Sequence, residues 1–410
     1  MNKSFYALLI SQTSTNLGFS LYTMAVVMTI FKETGSTTLS ALVTVLSLAS
    51  RLISAFLLPS ISDKFALRSI LIFAQSIQLP FIIVLAVLLV QEYTVPILLL
   101  LFSTLTVISF FNGWFGPIKS TLVRSAVAED NRVRANSLLA TVDQTFLLAG
   151  WSIGGILLQF VGLYVTLGLT FLLILLSLLS LVTINIQAVM NDTKREPFVV
   201  RITEGWKYLF KHQGLRVIVT MDLIEAWVGT IWIGPITIAY AYEVLNKGEA
   251  WWGYINSGYY LGAIIGGILI YKLSTRIQGN LTIFMITGAC LFGMLTFTYG
   301  LITNAYLALL LVVLMGPAYQ MRDMAQVTMT QNSADERTLT KVMAAKSTLM
   351  QFISIVSMLG ISLFADWIGV KYVYIFAGIL LTSSALYGFI HLYILKKGVV
   401  LEKELEQPLL

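Results

Sequence analysis

Twelve runs of apolar residues, each long enough to cross a bilayer, constrain this chain more than any other feature. They fall at about 5–31, 37–60, 69–91, 95–118, 137–160, 164–190, 215–242, 251–273, 280–302, 304–328, 342–364 and 371–395. A spanning helix needs about 20 mostly apolar residues. The breaks between runs carry turn chemistry, as in Glu33-Thr34-Gly35-Ser36, Asn246-Lys247-Gly248-Glu249 and Ser333-Ala334-Asp335-Glu336. Only 11% of the residues are charged and 57% are hydrophobic. Soluble domains carry about a quarter charged residues, so this chain has too few to cover a water-facing surface. The expected fold is an all-α membrane protein of 12 transmembrane helices.

The longest polar interval lies in the middle. Asn191 to Arg216 carries Lys194, Arg195, Arg201, Lys207, Lys211 and Arg216, with His212 beside them. It divides the chain into an N-terminal six-helix bundle (1–190), a cytoplasmic basic linker (191–214), a C-terminal six-helix bundle (215–398) and a cytoplasmic tail (399–410). With the N-terminus inside, the inner segments hold 22 of the 26 Lys and Arg residues; the outer loops hold Lys32, Lys247 and Lys371. That asymmetry predicts two cytoplasmic termini, and it explains the net charge of +6 without nucleic acid. The first run is too long for a signal-peptide core and is expected to remain as a span. Within the linker, Phe198, Ile202, Leu209 and Phe210 fall roughly on one side of a helix that also bears Arg201, Lys207 and Lys211, the pattern of an interfacial helix on an anionic leaflet; a solvated basic loop is the alternative.

The two halves echo each other. Phe115-Gly116-Pro117 is matched by Met315-Gly316-Pro317, and Phe160-Val161-Gly162-Leu163-Tyr164-Val165 by Trp367-Ile368-Gly369-Val370-Lys371-Tyr372. Two echoes at equivalent places indicate parallel repeats, the construction of paired six-helix bundles in secondary transporters.

Ionisable groups inside spans are costly and are functional candidates by default. The chain has few: Arg51 in the second run, Asp143 in the fifth, Asp222 and Glu225 in the seventh, Arg322 and Asp323 in the tenth, and Lys346 in the eleventh. A carboxylate in a low-dielectric bundle takes up a proton more readily than one in water, and two on one helix face titrate as a unit. Asp143, Asp222 and Glu225 are therefore the expected proton-coupling groups, with Arg51, Arg322, Asp323 and Lys346 as charge partners; each also has a plain reading as a structural ion pair. Arg51 is expected to pair with a carboxylate, for which Asp143 is a candidate.

Small residues one turn apart, Gly150, Gly154 and Gly155 in the fifth run and Gly262 and Gly266 in the eighth, mark close helix packing. Asn16, Trp114, Trp227, Trp232 and Tyr259 are expected to line a substrate cavity, although most aromatics in such a chain are ordinary packing or belt residues. Cys290 is the sole cysteine, so no intramolecular disulfide is possible. There is no phosphate-binding GxxxxGK[ST] loop, no Cys/His metal spacing and no hydrolytic trio, so neither an enzyme nor a bound cofactor is expected.

Several stretches resemble the major facilitator superfamily, and within it the macrolide-efflux-like branch of proton-driven exporters. They are Ile10-Ser11-Gln12-Thr13-Ser14-Thr15-Asn16-Leu17-Gly18, Gly116-Pro117-Ile118-Lys119-Ser120-Thr121-Leu122-Val123, Arg134-Ala135-Asn136-Ser137-Leu138 and Leu363-Phe364-Ala365-Asp366-Trp367-Ile368-Gly369-Val370. The superfamily's G-x-x-x-D-R-x-x-R-R loop stands here as Pro59 to Arg68, with Asp63 and Arg68 matched and Lys64 keeping the charge. The resemblance implies that Asp63, Lys64 and Arg68 form a gating loop. Gly150 to Gly155 is similar to the antiporter motif G-P-x-x-G-G with Trp151 for proline, which implies export. The arginine that many proton antiporters keep in the fourth span is absent. Together these features imply a monomeric exporter of small amphipathic molecules in the cytoplasmic membrane, exchanging cargo for protons. Export of an endogenous metabolite such as a siderophore, or a non-transporting sensor on the same scaffold, are the alternatives.

Overall fold

Backbone polar groups in hydrocarbon find no water, so each must be satisfied within its own segment. The computed structural model describes residues 3–34, 37–184, 198–232, 234–247 and 250–396, and among them every regular element is helical. In order these are α1 (Lys3–Thr34), α2 (Thr37–Ser62), α3 (Leu67–Leu88), α4 (Val95–Asn112), α5 (Phe115–Ala126), α6 (Arg132–Thr183), α7 (Phe198–Lys211), α8 (Gln213–Gly229), α9 (Gly234–Glu243), α10 (Ala250–Lys272), α11 (Ser274–Gln278), α12 (Leu281–Leu301), α13 (Ala305–Asn332), α14 (Glu336–Ile368) and α15 (Val370–Ile390). Local chemistry sets several ends. Asn304 caps α13 by accepting from the N–H groups of Tyr306 and Leu307, and a proline stands in the first turn of α4, where its missing N–H costs nothing.

Among the described residues nine helices are long and apolar enough to cross a membrane, or ten if the bent pair Gln213–Trp232 and Ile236–Glu243 is one span. Two expected spans lie outside that set, and both are helical. The first, 5–31, forms α1, whose Ser, Thr, Gln and Asn residues lower its apolarity. The other, 137–160, is the first part of α6 and crosses 147–159, whose side chains lie outside the described residues. Large apolar side chains stand exposed along the helices: Leu99, Leu172, Leu310, Leu386 and Phe389 are each more than half exposed. A water-soluble monomer does not leave so much apolar area uncovered, whereas lipid covers it at no cost.

The repeat echo becomes backbone geometry. Gly162 has φ +83° and Gly369 has φ +87°, the two positive-φ glycines among the described residues. A side chain is disfavoured in that conformation, so the same residue recurs at the same turn in both halves. Gly162 breaks the long α6 in two, and Gly369 separates α14 from α15.

The chain forms two compact units, and each takes one helical segment from the opposite half of the sequence. Unit 1 comprises Met1–Val127, Thr145–Trp206 and Glu336–Gln351. Its core gathers Tyr22, Val26, Ile82, Leu101, Leu105 and Ile174. Unit 2 comprises Ala128–Gln144, Lys207–Asp335 and Phe352–Leu410. There α10 meets α13 so closely that a Cβ on Gly262 would collide with the Val313 carbonyl, and one on Gly316 with the backbone of Gly262 and Ala263. Glycine is required at both positions because backbone packs on backbone.

The linker does contain a helix, α7, but its faces differ from the expected ones. Ile202 and Leu209 point inward and are buried, whereas Phe210 turns outward with Val199, Lys207 and Lys211. At 100° per residue, Val199 and Phe210 fall 20° apart, which makes a second apolar strip beside the two lysines. Phe198 begins the helix, and the side chain of Arg201 lies outside the described residues.

Candidate functional site: buried charges inside the spans

Asp222 and Glu225 project from one face of α8, three residues apart, toward α13. Arg322 stands between them: its guanidinium lies 2.7 Å from Asp222 Oδ1 and 2.6 Å from Glu225 Oε2, and 3.8 Å from Asp323 Oδ1. The side chains of Arg322, Asp222 and Glu225 are 10%, 5% and 12% exposed, so water screens these charges little. Ser384 of α15 donates to Glu225 Oε1 at 2.7 Å, and Gln326 donates to Asp222. The cluster holds three carboxylates around one guanidinium. It draws together four residues that the sequence singled out, plus Ser384 and Gln326, whose uncharged side chains gave no signal.

One turn before Asp323 on α13 is Tyr319, which begins an aromatic wall in the same unit. Its ring lies 6.1 Å from Tyr259, which stacks at 6.5 Å on Trp232. Trp232 in turn meets Tyr299 and Tyr374, and its Nε1–H is buried without an acceptor among the described residues. Trp227 is 40% exposed. Asp143 lies half-buried on α6, in the same unit. Earlier on the same helix, Asn136 donates to Thr328 and Gln331 at 3.0 and 2.8 Å, Arg132 to Asn332 at 2.5 Å and Arg134 to the Tyr271 hydroxyl at 2.7 Å.

Unit 1 carries a second charge cluster. Lys341, at the start of α14, is completely buried, with Nζ 2.9 Å from Asp63 Oδ2 and in contact with Glu204 of α7. Arg337 adds a longer pairing to Asp63 at 3.4 Å. A Cβ on Gly205 would strike the Lys341 carbonyl, so glycine lets α7 reach this point. The loop's other two basic residues do different work. Lys64 is exposed, and Arg68 donates to the carbonyls of Leu181 and Val182, closing the end of α6. Lys341 and Glu204 escaped the sequence reading; the available signal was that Glu204 is the one acid on an otherwise basic α7. Lys346 lies one turn further along α14, half-buried.

Arg51 departs from its expected pairing. No carboxylate pairs with it among the described residues; its guanidinium lies 4.9 Å over the ring of Phe19, and its Nε is buried without an acceptor. It belongs to unit 1 and Asp143 to unit 2. The packing reason is Gly113: a Cβ there would come within 2.9 Å of the Arg51 Cα, so α4 fits tightly along α2 and α1 supplies the aromatic face. Trp114 is buried against this region, donating from Nε1 to the Ser54 carbonyl at 3.1 Å. Asn16 sits half-buried on α1, its carbonyl accepting from Ser20. In α10, a Cβ on Gly266 would come within 2.5 Å of Pro317 Cα, whereas the surroundings of Gly150, Gly154 and Gly155 lie outside the described residues.

Known proteins share both sequence and fold with this chain. A Major Facilitator Superfamily model matches residues 8–322. The uncharacterized MFS-type transporter YfmI of Bacillus subtilis (strain 168) is 48% identical over 399 residues, covering 97% of this chain and 98% of that protein. A second uncharacterized MFS-type transporter of that organism, YjbB, is 29% identical over 92% of this chain and 93% of its own length. Among solved structures, an outward-facing bacterial homologue of the iron transporter ferroportin superposes with TM-score 0.79 at 14% identity, over 95% of this chain and 99% of that one. The transporter FucP in its outward conformation gives TM-score 0.79 at 11% identity, over 95% of this chain and 99% of that one. The helical architecture, the apolar spans and these matches together place the chain in the major facilitator superfamily, as an MFS-type membrane transporter.

Proposed function

We propose that this transporter is a proton-coupled exporter of small amphipathic molecules, working by alternating access in the cytoplasmic membrane. The observation that carries the reading is Arg322 enclosed by Asp222, Glu225 and Asp323 inside a span. Asp222 and Glu225 share that one guanidinium, and proton occupancy of either alters how strongly α8 holds α13. The aromatic wall of Trp232, Tyr259 and Tyr319 gives an apolar cargo a surface beside that switch.

In this reading the chain is a monomer of twelve spans with both termini cytoplasmic, bundles at 1–190 and 215–398, the linker at 191–214 and the tail at 399–410. The pairs of Asp63 with Lys341 and of Asn136 with Gln331 join residues from opposite halves of the sequence. They are the contacts that must part for the inner side to open, with Asp63 as the latch. Asp143 is a further proton acceptor near the second of them.

The test is purified protein in liposomes under an imposed pH gradient, with a cationic dye and a macrolide as cargo. Cargo-dependent proton movement supports the reading. Asp222→Asn and Glu225→Gln should insert normally yet lose coupling at least about tenfold, the scale of one charge-assisted hydrogen bond. Unchanged pH-dependent efflux in both variants retires the pair.

A further inference from the structure

Two arginines lie within the spans, and the chain treats them differently. Arg322 is enclosed by carboxylates. Arg51 has none among the described residues, although it lies near the middle of the span Leu42–Ser62. Nine residues separate it from one end and eleven from the other, roughly 14 and 16 Å at 1.5 Å per residue. That depth puts lipid phosphates at either surface out of reach. An intramembrane arginine is retained when something compensates its charge, and among the described residues no carboxylate pairs with Arg51.

What surrounds Arg51 is a set of hydrogen-bond donors and an aromatic face. Phe19 lies beneath the guanidinium plane at 4.9 Å. The Tyr22 hydroxyl meets Ser109 Oγ at 3.5 Å, and Ser109 donates to Ser47 at 3.0 Å. Ser47, Arg51 and Ser54 follow one another on one face of α2, at i, i+4 and i+7. Ser54 is fully buried, and its Oγ has no partner among the described residues; the same is true of Arg51 Nε. Arg51 as a whole is only half-buried. A guanidinium held over an aromatic face still has a planar fork of N–H groups, the shape that receives a carboxylate bidentately.

We infer that Arg51 is the anchor for an anionic group on the cargo, a carboxylate or sulfonate carried by an aromatic or amphipathic body. Phe19 backs the guanidinium, and the Ser54 hydroxyl, three residues on along α2, is a further donor. This narrows the cargo from amphipathic molecules in general to organic anions, and it rests on the carrier reading only in calling the bound anion cargo.

The test compares acids with their uncharged amides on the purified full-length protein: benzoate with benzamide, salicylate with salicylamide, and 2-naphthoate with 2-naphthamide. Binding is read from intrinsic tryptophan fluorescence and thermal midpoint. The expected result is that the acids bind at least about tenfold more tightly than the amides, ~1.4 kcal/mol. Arg51→Gln should abolish that preference, and Arg51→Lys should retain a fraction of it, because an ammonium keeps the charge and loses the fork. Gel-filtration elution and the ligand-free midpoint establish that each variant is folded; should Arg51→Gln fail there, the loss in Arg51→Lys carries the comparison. Equal affinity for acid and amide, no binding of any acid at millimolar concentration, or a preference that survives the substitutions would overturn the inference. An acid preference in a protein that moves no protons in liposomes would sink the carrier reading and leave the anion site standing. Proton-coupled movement of a cationic dye, untouched by Arg51→Gln and without an acid preference, would sink the site alone.

Discussion

Lys341 Nζ lies 2.9 Å from Asp63 Oδ2, and the lysine side chain is wholly out of contact with solvent. A buried ammonium is tolerated because Asp63 and Glu204 share it, the first from the turn after α2 and the second from α7. Removing one partner of a buried pair costs about 3–5 kcal/mol. Lys341→Met should cost less, about 2–3 kcal/mol, because Arg337 stays near Asp63 and Glu204 is 37% exposed. Thermal or denaturant midpoints of Asp63→Asn, Lys341→Met and the double variant should show a coupling of at least about 1 kcal/mol. Additive effects would mean that the pair is not an energetic unit.

Arg322 serves two carboxylates through one nitrogen and a third through the other. Arg322→Lys keeps the charge but cannot reproduce the planar fork. At least one charge-assisted hydrogen bond is lost, worth about 1.5–3 kcal/mol. Transport by Arg322→Lys should fall at least about tenfold while the protein still reaches the membrane; wild-type rates in liposomes would contradict this.

Gly262 and Gly258 on α10 should respond unequally to alanine. At Gly262 the new methyl meets the Val313 carbonyl and backbone, which cannot move without separating α10 from α13. At Gly258 it meets Leu309 Cδ1 at 2.9 Å, the end of a flexible side chain. Gly262→Ala should cost about 1–3 kcal/mol and Gly258→Ala less than about 1 kcal/mol. Equal midpoints for the two variants would show that α10 and α13 are less tightly joined than this.

His212 gives a pH dependence outside the spans. It caps α8, accepting from the Leu215 N–H at 3.2 Å through Nδ1, and it stacks on Tyr208. Burial pushes the imidazole below its usual value. The unfolded chain therefore binds this proton at a higher pH than the folded one. The stability contribution is present above about pH 6.5 and is lost as pH falls from there toward the folded-state value. His212→Asn keeps an N-cap acceptor without a titrating ring. Its midpoint should fall less than that of wild type between pH 7.5 and 5.5; parallel losses would assign the acid sensitivity elsewhere.

The amino-acid sequence alone made legible the apolar helices, nine or ten of which are long and apolar enough to span, the equivalent places of Gly162 and Gly369, and the few ionisable residues those helices carry. These follow from properties each residue carries locally: apolarity, charge, and the freedom of glycine at positive φ. Partnership is different. Arg322 meets Asp222 across 100 residues and Lys341 meets Glu204 across 137. A shift of one residue along either helix turns the side chain by 100°, so packing alone selects those pairs. The same dependence sent Phe210 outward on α7, and it gave Arg51 the face of Phe19 where the sequence suggested Asp143.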